Sequence, residues 1–101
     1  MNNMKAKIVC LCGSTRFKKQ FLKAFYDQEH KGNICLTVSC FKEDLCCKTK
    51  EDQNRLDYLH RQKIDISDEI LVLNIGGYIG ESTRGEIEYA KSKNKVVKYL
   101  E

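Results

Sequence analysis

The stretch DEILVLNIGGYIGESTRGEIEYA, residues 68–90, joins an apolar run to a glycine-rich loop and then to a helix-like pattern. Residues 69–75 predict a buried strand, because an uninterrupted apolar run of this length suits a strand covered on both faces. Ile87 and Ala90 are spaced by about one helical turn, so residues 83–93 predict an amphipathic helix. A strand, a short loop and a helix in this order form the unit from which parallel sheets are built.

The rest of the chain repeats this unit. Hydrophobic patterns predict strands at 7–12, 33–40, 69–75 and 95–100, and helices within 13–32, 51–68 and 83–93. Ser14 or Thr15 is the expected cap of the first helix, and Gly32 is its expected end. Residues 41–50 show no period and predict a loop. The sequence therefore predicts an α/β fold, a small doubly wound (Rossmann-like or flavodoxin-like) parallel sheet of about four strands with helices on both faces.

Size and composition favour a single globular domain over residues 1–101. Apolar residues make up 42% of the chain and charged residues 32%, which is ordinary globular composition. No run approaches the roughly 20 apolar residues that span a membrane, and no secretion signal is recognisable, so we expect a cytoplasmic protein without a membrane partner. The net charge of +4 comes from scattered basic residues. It favours an anionic small molecule at least as well as nucleic acid, for which no aromatic and basic platform is visible.

Six cysteines in a short chain raise the alternatives of disulfides, a metal site or plain packing. They lie at Cys10, Cys12, Cys35, Cys40, Cys46 and Cys47. In a cytoplasmic protein we expect reduced thiols that act as small hydrophobic groups. A metal site is the less favoured alternative, because neither His30 nor His60 lies at a finger-like spacing from a cysteine pair. We therefore predict no metal and no cofactor.

Two loops carry candidate chemistry. GSTR, residues 13–16, ends the first strand with hydroxyls and an arginine that suit a phosphate, although simple helix capping explains it about equally well. The second loop leads to Glu86, which is either the acidic partner in a Thr83–Glu86 capping box or a catalytic group. Ligands in such sheets bind at the carboxyl ends of strands, where strand order reverses. If strands one and three are neighbours, both loops open onto one crevice.

Three segments, CGSTRF, DISDEILVLNI and GESTRGEIEYAKSKNKVVKYL, resemble the nucleoside 2-deoxyribosyltransferase superfamily, nearest to its nucleoside 5′-monophosphate N-glycosidase branch. The resemblance implies that Glu86 is the nucleophile that attacks the sugar. It also implies that Gly13, Ser14 and Arg16 contact the sugar or the 5′-phosphate, with Ser82 the nearest candidate for a second phosphate contact. Members of the superfamily are oligomers, so the resemblance implies a homodimer or a higher homo-oligomer.

The chain departs from the superfamily pattern at several positions. Members of the superfamily usually have an aspartate on the helix before the third strand. In this chain His60 stands near that place, with Asp57 and Asp65 nearby. The transferases also have an aspartate before the nucleophile, where this chain has Gly80. His60 or a nearby aspartate is the expected proton donor. The predicted catalytic residues are Glu86 and His60, and the predicted substrate-binding residues are Gly13, Ser14, Thr15, Arg16, Gly77, Tyr78, Gly80, Ser82 and Thr83.

The predicted activity is cleavage of the base–sugar bond of a nucleoside or nucleoside 5′-monophosphate, by hydrolysis or by base exchange. The alternative is a nucleotide-binding module of the same fold that lacks turnover. What stands opposite Glu86 separates these two hypotheses, because catalysis needs a proton donor within reach of the leaving base.

Overall fold

The computed structural model describes residues 5–44 and 49–101, in which four strands alternate with three α-helices. In chain order the elements are β1 (Ile8–Gly13), α1 (Lys18–His30), β2 (Ile34–Leu36), α2 (Lys50–Asp65), β3 (Glu69–Leu73), α3 (Glu81–Ser92) and β4 (Val96–Tyr99). Short 3₁₀ turns cover Lys42–Asp44 and Ile75–Gly77. No helix in these ranges is both long and apolar enough to cross a membrane.

All strand pairs are parallel, and the sheet order is β2-β1-β3-β4. The register places Val9 opposite Glu69 and Gly13 opposite Leu73, so β1 and β3 end together at one edge. From β1 the chain moves outward to β2, and from β3 it moves outward to β4. The strand order therefore reverses between β1 and β3, which is where a ligand crevice forms in such sheets.

Alternation along β1 divides the core into two layers. Val9 and Leu11 pack with Phe21 of α1 on one face. Cys10 and Cys12 pack on the other face, with Ile64 of α2 and with Ile87 of α3. The predicted doubly wound parallel sheet with helices on both faces is confirmed.

Two predicted helix starts are wrong. The first helix begins at Lys18 with Phe17 as its N-cap, and no side chain caps it. Ser14 instead closes a turn in which its carbonyl accepts a hydrogen bond from the Phe17 N–H at 3.1 Å. The last helix begins at Glu81 after Gly80, so Thr83 lies inside its first turn and Thr83–Glu86 is not a capping box.

Other differences follow from packing. The second strand is shorter than predicted, because residues 37–40 leave the sheet and Val38 packs on the core beside α1. The buried stripe of α2 is His60 and Ile64, whereas Leu59 and Ile66 are exposed. The buried face of α2 therefore carries a histidine, while the neighbouring Leu59 is exposed.

Three cysteines, Cys10, Cys12 and Cys35, are buried free thiols, as expected. Cys40 is disulfide-bonded, so the prediction of reduced thiols is wrong for that residue. Cys46 and Cys47, together with much of the predicted loop 41–50, lie outside the described residues.

The fold predicts opposite effects for one substitution at two glycines. Gly77 has a φ of +83°, which costs an L-residue strain, so Gly77→Ala should lower the free energy of unfolding by about 1 kcal/mol. Gly85 lies inside α3, where an added Cβ would meet only the Arg61 guanidinium at 3.7 Å. Gly85→Ala should raise the free energy of unfolding by about 0.5–1 kcal/mol through helix propensity. Urea denaturation of both variants checks the opposite signs, and equal shifts would contradict the backbone assignment.

Candidate functional site

The two predicted loops meet at a cavity of about 540 Å³ at the carboxyl edge of β1 and β3. Nine of the residues predicted for the site line it: Gly13, Ser14, Thr15, His60, Tyr78, Gly80, Ser82, Thr83 and Glu86. Arg16 and Gly77 are not among the described residues that line it. The reversal of strand order therefore predicts where the crevice lies, but it does not decide which individual side chains face the crevice.

Arg16 joins the two loops from beside the cavity. Its Nε donates to the Ser14 hydroxyl at 3.1 Å, and its terminal nitrogen donates to the Tyr78 hydroxyl at 3.3 Å. The guanidinium also lies 4.6 Å from the centroid of the Tyr78 ring. Arg16 thus holds Tyr78 over the mouth of the site by stacking and hydrogen bonding.

Most glycines at this edge are required by the backbone conformation of a turn or by close packing of two strands. Gly76 and Gly77 have φ values of +62° and +83° in a tight turn, and the Gly76 N–H donates to the Glu101 carboxylate at 2.9 Å. A Cβ on Gly13 would lie 3.1 Å from the Leu73 Cβ, so this glycine permits close packing of β1 on β3. Gly13 and Gly80 both line the cavity, so at these two positions a bare backbone also faces the place of a ligand.

Glu86 and His60 face each other across the floor of the cavity. His60 Nε2 lies 3.7 Å from Glu86 Oε1, and their side chains are 7% and 18% exposed. Helix α3 directs Glu86 inward one turn before Ala90, and α2 directs His60 toward the sheet one turn before Ile64. His60 is therefore a buried side chain of the cavity floor.

Two thiols lie beneath this pair, and the sequence did not indicate them as part of the site. The Sγ atoms of Cys10 and Cys12 lie 3.8 Å and 3.5 Å from His60 Nε2. Both cysteines point to the α2 and α3 face because they are two residues apart on β1. Their alternation on the strand was visible, but the opposing histidine depends on the rotation of α2.

Burial and mutual charge shift the pKa values of the carboxyl and the imidazole. Burial raises the pKa of Glu86 above its usual 4.5, while the positive charge of His60 partly opposes that rise. Burial acts against the charged form of His60, but Cys10 and Glu86 outweigh it, so the His60 pKa is raised above 6.5. The pairing thus favours the carboxylate form of Glu86 and the imidazolium form of His60, against the effect of burial.

The pKa values of the two thiols are shifted in opposite directions. The pKa of Cys10 is lowered to about 5, because the Cys12 thiol donates a hydrogen bond to it and His60 adds a positive charge, against the effect of burial. The pKa of Cys12 is raised well above its usual value by that same hydrogen bond and by burial. The cluster thus holds one thiolate and one thiol.

Of the two nearby aspartates, only Asp57 reaches the cavity. Asp57 lines it one turn before His60 on α2, and its carboxylate accepts a hydrogen bond from the Gln53 side chain at 2.9 Å. Asp65 accepts a hydrogen bond from the Tyr89 hydroxyl at 2.6 Å, and it does not line the cavity.

The segment after β2 also lines the cavity, and none of its residues was predicted for the site from the sequence. Val38, Ser39 and Lys42 contribute to the wall. The rule that placed the other two loops at the carboxyl edge applies equally to the end of β2, so this wall was predictable. Lys42 brings a positive charge to this wall, and its backbone N–H donates to the Thr15 carbonyl at 3.2 Å.

We expect the imidazole of His60 to titrate above pH 6.5 and to depend on Glu86. Glu86→Gln removes a negative charge 3.7 Å from Nε2 and should lower the His60 pKa. NMR titration of the two histidine ring signals measures this change, with His30→Gln used to assign them. An unchanged His60 titration in Glu86→Gln would contradict the pairing.

The comparison with known proteins supports the fold. Neither a protein-family profile nor a curated protein matches the sequence. A solved structure described as a 2-desoxiribosyltransferase from Leishmania mexicana matches with a TM-score of 0.59 and 17% sequence identity. The match covers 92% of this chain but only 63% of that structure, so the chain spans less than two thirds of its length. The chain thus shares its α/β fold with a deoxyribosyltransferase.

Proposed function

We propose that the protein cleaves the base–sugar bond of a nucleoside or nucleoside 5′-monophosphate, as an N-glycosidase or a deoxyribosyltransferase. The observation that carries this proposal is the Glu86 carboxylate, which opens into a cavity at the strand-order reversal and has His60 3.7 Å away. The fold shared with a deoxyribosyltransferase supports the same chemistry.

Glu86 is the nucleophile in the proposed mechanism. One of its carboxylate oxygens forms a bond to the anomeric carbon as the bond from that carbon to the base nitrogen breaks. The electron pair of the broken bond stays on the base nitrogen, which takes up a proton. A water molecule then cleaves the glycosyl ester and restores the carboxylate, or a second base nitrogen does so in an exchange reaction. A fixed negative charge stabilises the oxocarbenium-like transition state of each step.

The geometry favours His60 as a positioning residue. Acid and nucleophile in a retaining glycosidase stand about 5–5.5 Å apart, because the substrate bond lies between them. His60 and Glu86 are separated by 3.7 Å, which suits a direct charge-assisted contact. His60 therefore orients the buried Glu86 carboxylate and favours its ionised form. The sequence predicted a proton donor at His60, and the proposal assigns it a positioning role instead.

Asp57 is the better placed proton donor of the two aspartates. It lines the same cavity from α2. Together, Glu86 below the sugar and Asp57 on the wall provide the two carboxyl groups that glycoside cleavage uses. This arrangement favours an enzyme over a binding module, since a polar wall faces Glu86.

Hydroxyls and a lysine offer a grip for a 5′-phosphate. Three hydroxyl side chains line the cavity: Ser14 and Thr15, which follow β1, and Ser82, which lies in the first turn of α3. Lys42 also lines the cavity and supplies a positive charge. The Tyr78 ring, 43% exposed and stacked on Arg16, is placed to cover a base or a sugar. The proposal includes no cofactor, and a homodimer or higher homo-oligomer remains a prediction from the resemblance.

Substrate turnover tests the proposal directly. We expect the purified protein to release free base from at least one member of a panel of ribo- and deoxynucleosides and their 5′-monophosphates, as followed by chromatography. Glu86→Gln should lower the rate by about 10³-fold or more, because it removes the nucleophile. Glu88→Gln, which makes the same change at an exposed position of α3, should leave the rate unchanged. No turnover by the parent, with or without an acceptor base, would favour the nucleotide-binding module.

The pH dependence of kcat/KM tests the role of His60. Activity should fall as the pH drops through the Glu86 pKa, at a pH above the usual 4.5, because protonation removes the nucleophile. His60→Gln removes the positive charge that lowers this pKa, so the acid limb should move to still higher pH. If His60→Gln leaves the acid limb in place and abolishes only an alkaline limb, His60 is the proton donor instead.

A further inference from the structure

Two buried thiols of the cluster have no part in the proposed glycosidase chemistry. Cys10, Cys12 and His60 are each at most 6% exposed, and each points one donor atom toward the others. These three atoms, two Sγ and one imidazole nitrogen, all lie within 4.8 Å of one another. Cys35 is a buried free thiol on the α1 side of the sheet and belongs to no such group. A thiol can therefore be buried in this core without converging on an imidazole.

The donor set is the one that zinc prefers. Zinc takes thiolate at about 2.3 Å and imidazole at about 2.0–2.1 Å in a tetrahedron, which places sulfur and nitrogen ligands about 3.5 Å apart. The observed Sγ to Nε2 distances are 3.8 Å for Cys10 and 3.5 Å for Cys12. The protein therefore already holds these donors close to the required separation.

Glu86 lies on the cavity side of this donor set. Its Oε1 lies 3.7 Å from His60 Nε2, but it does not belong to the group of donor atoms that all lie within 4.8 Å of one another. Glu86 and His60 line the cavity, whereas Cys10 and Cys12 lie beneath them and are not among its lining residues. An ion can thus enter from the cavity and meet the two thiols at its floor.

We propose that Cys10, Cys12 and His60 bind one zinc ion, with its fourth position open toward the cavity beside Glu86. Two thiolates neutralise the charge of the ion, so the buried complex carries no net charge.

Cobalt substitution tests the site on the full chain. The protein is titrated with Co²⁺ anaerobically and without a thiol reductant, so that the disulfide of Cys40 stays intact. One equivalent should produce thiolate-to-cobalt charge transfer and the intense visible bands of a four-coordinate ion, and Zn²⁺ should then displace it. Circular dichroism of each variant shows whether it is folded.

Matched cysteine variants locate the ion. Cys12→Ser should weaken binding by more than about 100-fold, because even groups that only support a ligand are worth roughly 10–100-fold. Cys35→Ser should bind like the parent, and Glu86→Gln should retain the thiolate bands. If Cys12→Ser does not fold, Cys10→Ser provides the same comparison. Equal affinity in the parent and the Cys12→Ser or Cys10→Ser protein, or cobalt spectra without thiolate charge transfer, would overturn the proposal.

The tests of the ion site and of the glycosidase are independent of each other, although His60 belongs to both proposals. Its readouts are cobalt spectra and zinc displacement, neither of which depends on base release. If the substrate panel fails while Co²⁺ binds through Cys12, the glycosidase is wrong and the metal site is right. The reverse result, base release without thiolate ligation, leaves Glu86 as a nucleophile and the thiols as packing groups.

Discussion

The pairing of β1 with β3 is the constraint on which the other features of this protein depend. In-register parallel hydrogen bonding from Val9 opposite Glu69 to Gly13 opposite Leu73 ends both strands at the same edge. The loops that follow must then open side by side, and the helices after them must diverge to opposite faces. Gly13 makes this possible, because a Cβ at that position would press on Leu73. The cavity is therefore a consequence of topology before any side chain contributes chemistry.

The second feature of the fold is a group of polar side chains in one layer of the core. A domain of this size has little stability to spare, and burying ionisable groups without partners costs several kcal/mol. Here each member of the group meets another, since His60 contacts Glu86, Cys10 and Cys12. An apolar stripe of leucine and valine would fill the same space at lower cost. A position that departs from the hydrophobic pattern in this way is where function is expected in a natural protein.

The architecture was predictable from the sequence because it depends on periodicity and order. Continuous apolar runs gave four parallel strands, and the reversal of strand order placed residues 13–15 beside residues 78–86 at one cavity. The starts of α1 and α3 were not predictable from capping residues, whereas α2 begins after Thr49, whose hydroxyl accepts a hydrogen bond from the Asp52 N–H. Ser14 and Thr83 have the chemistry of a cap, but tertiary packing begins the helices at Lys18 and Glu81. The loop between a strand and the helix after it decides where that helix begins, and this constraint outweighs the local propensity of a residue to cap a helix.

The composition of the cavity floor could not be predicted, because it depends on the rotation of α2 about its axis. Leucine, isoleucine and histidine compete for the inward face of that helix, and a shift of one residue would exchange Leu59 for His60. The observed rotation brings the imidazole against Glu86 on one side and against two thiols on the other. His60 has a place in both proposals, since its Nε2 can face either the Glu86 carboxylate or a bound ion. The two proposed chemistries therefore compete for one imidazole nitrogen, because an ion at the cavity floor would remove the contact that orients Glu86.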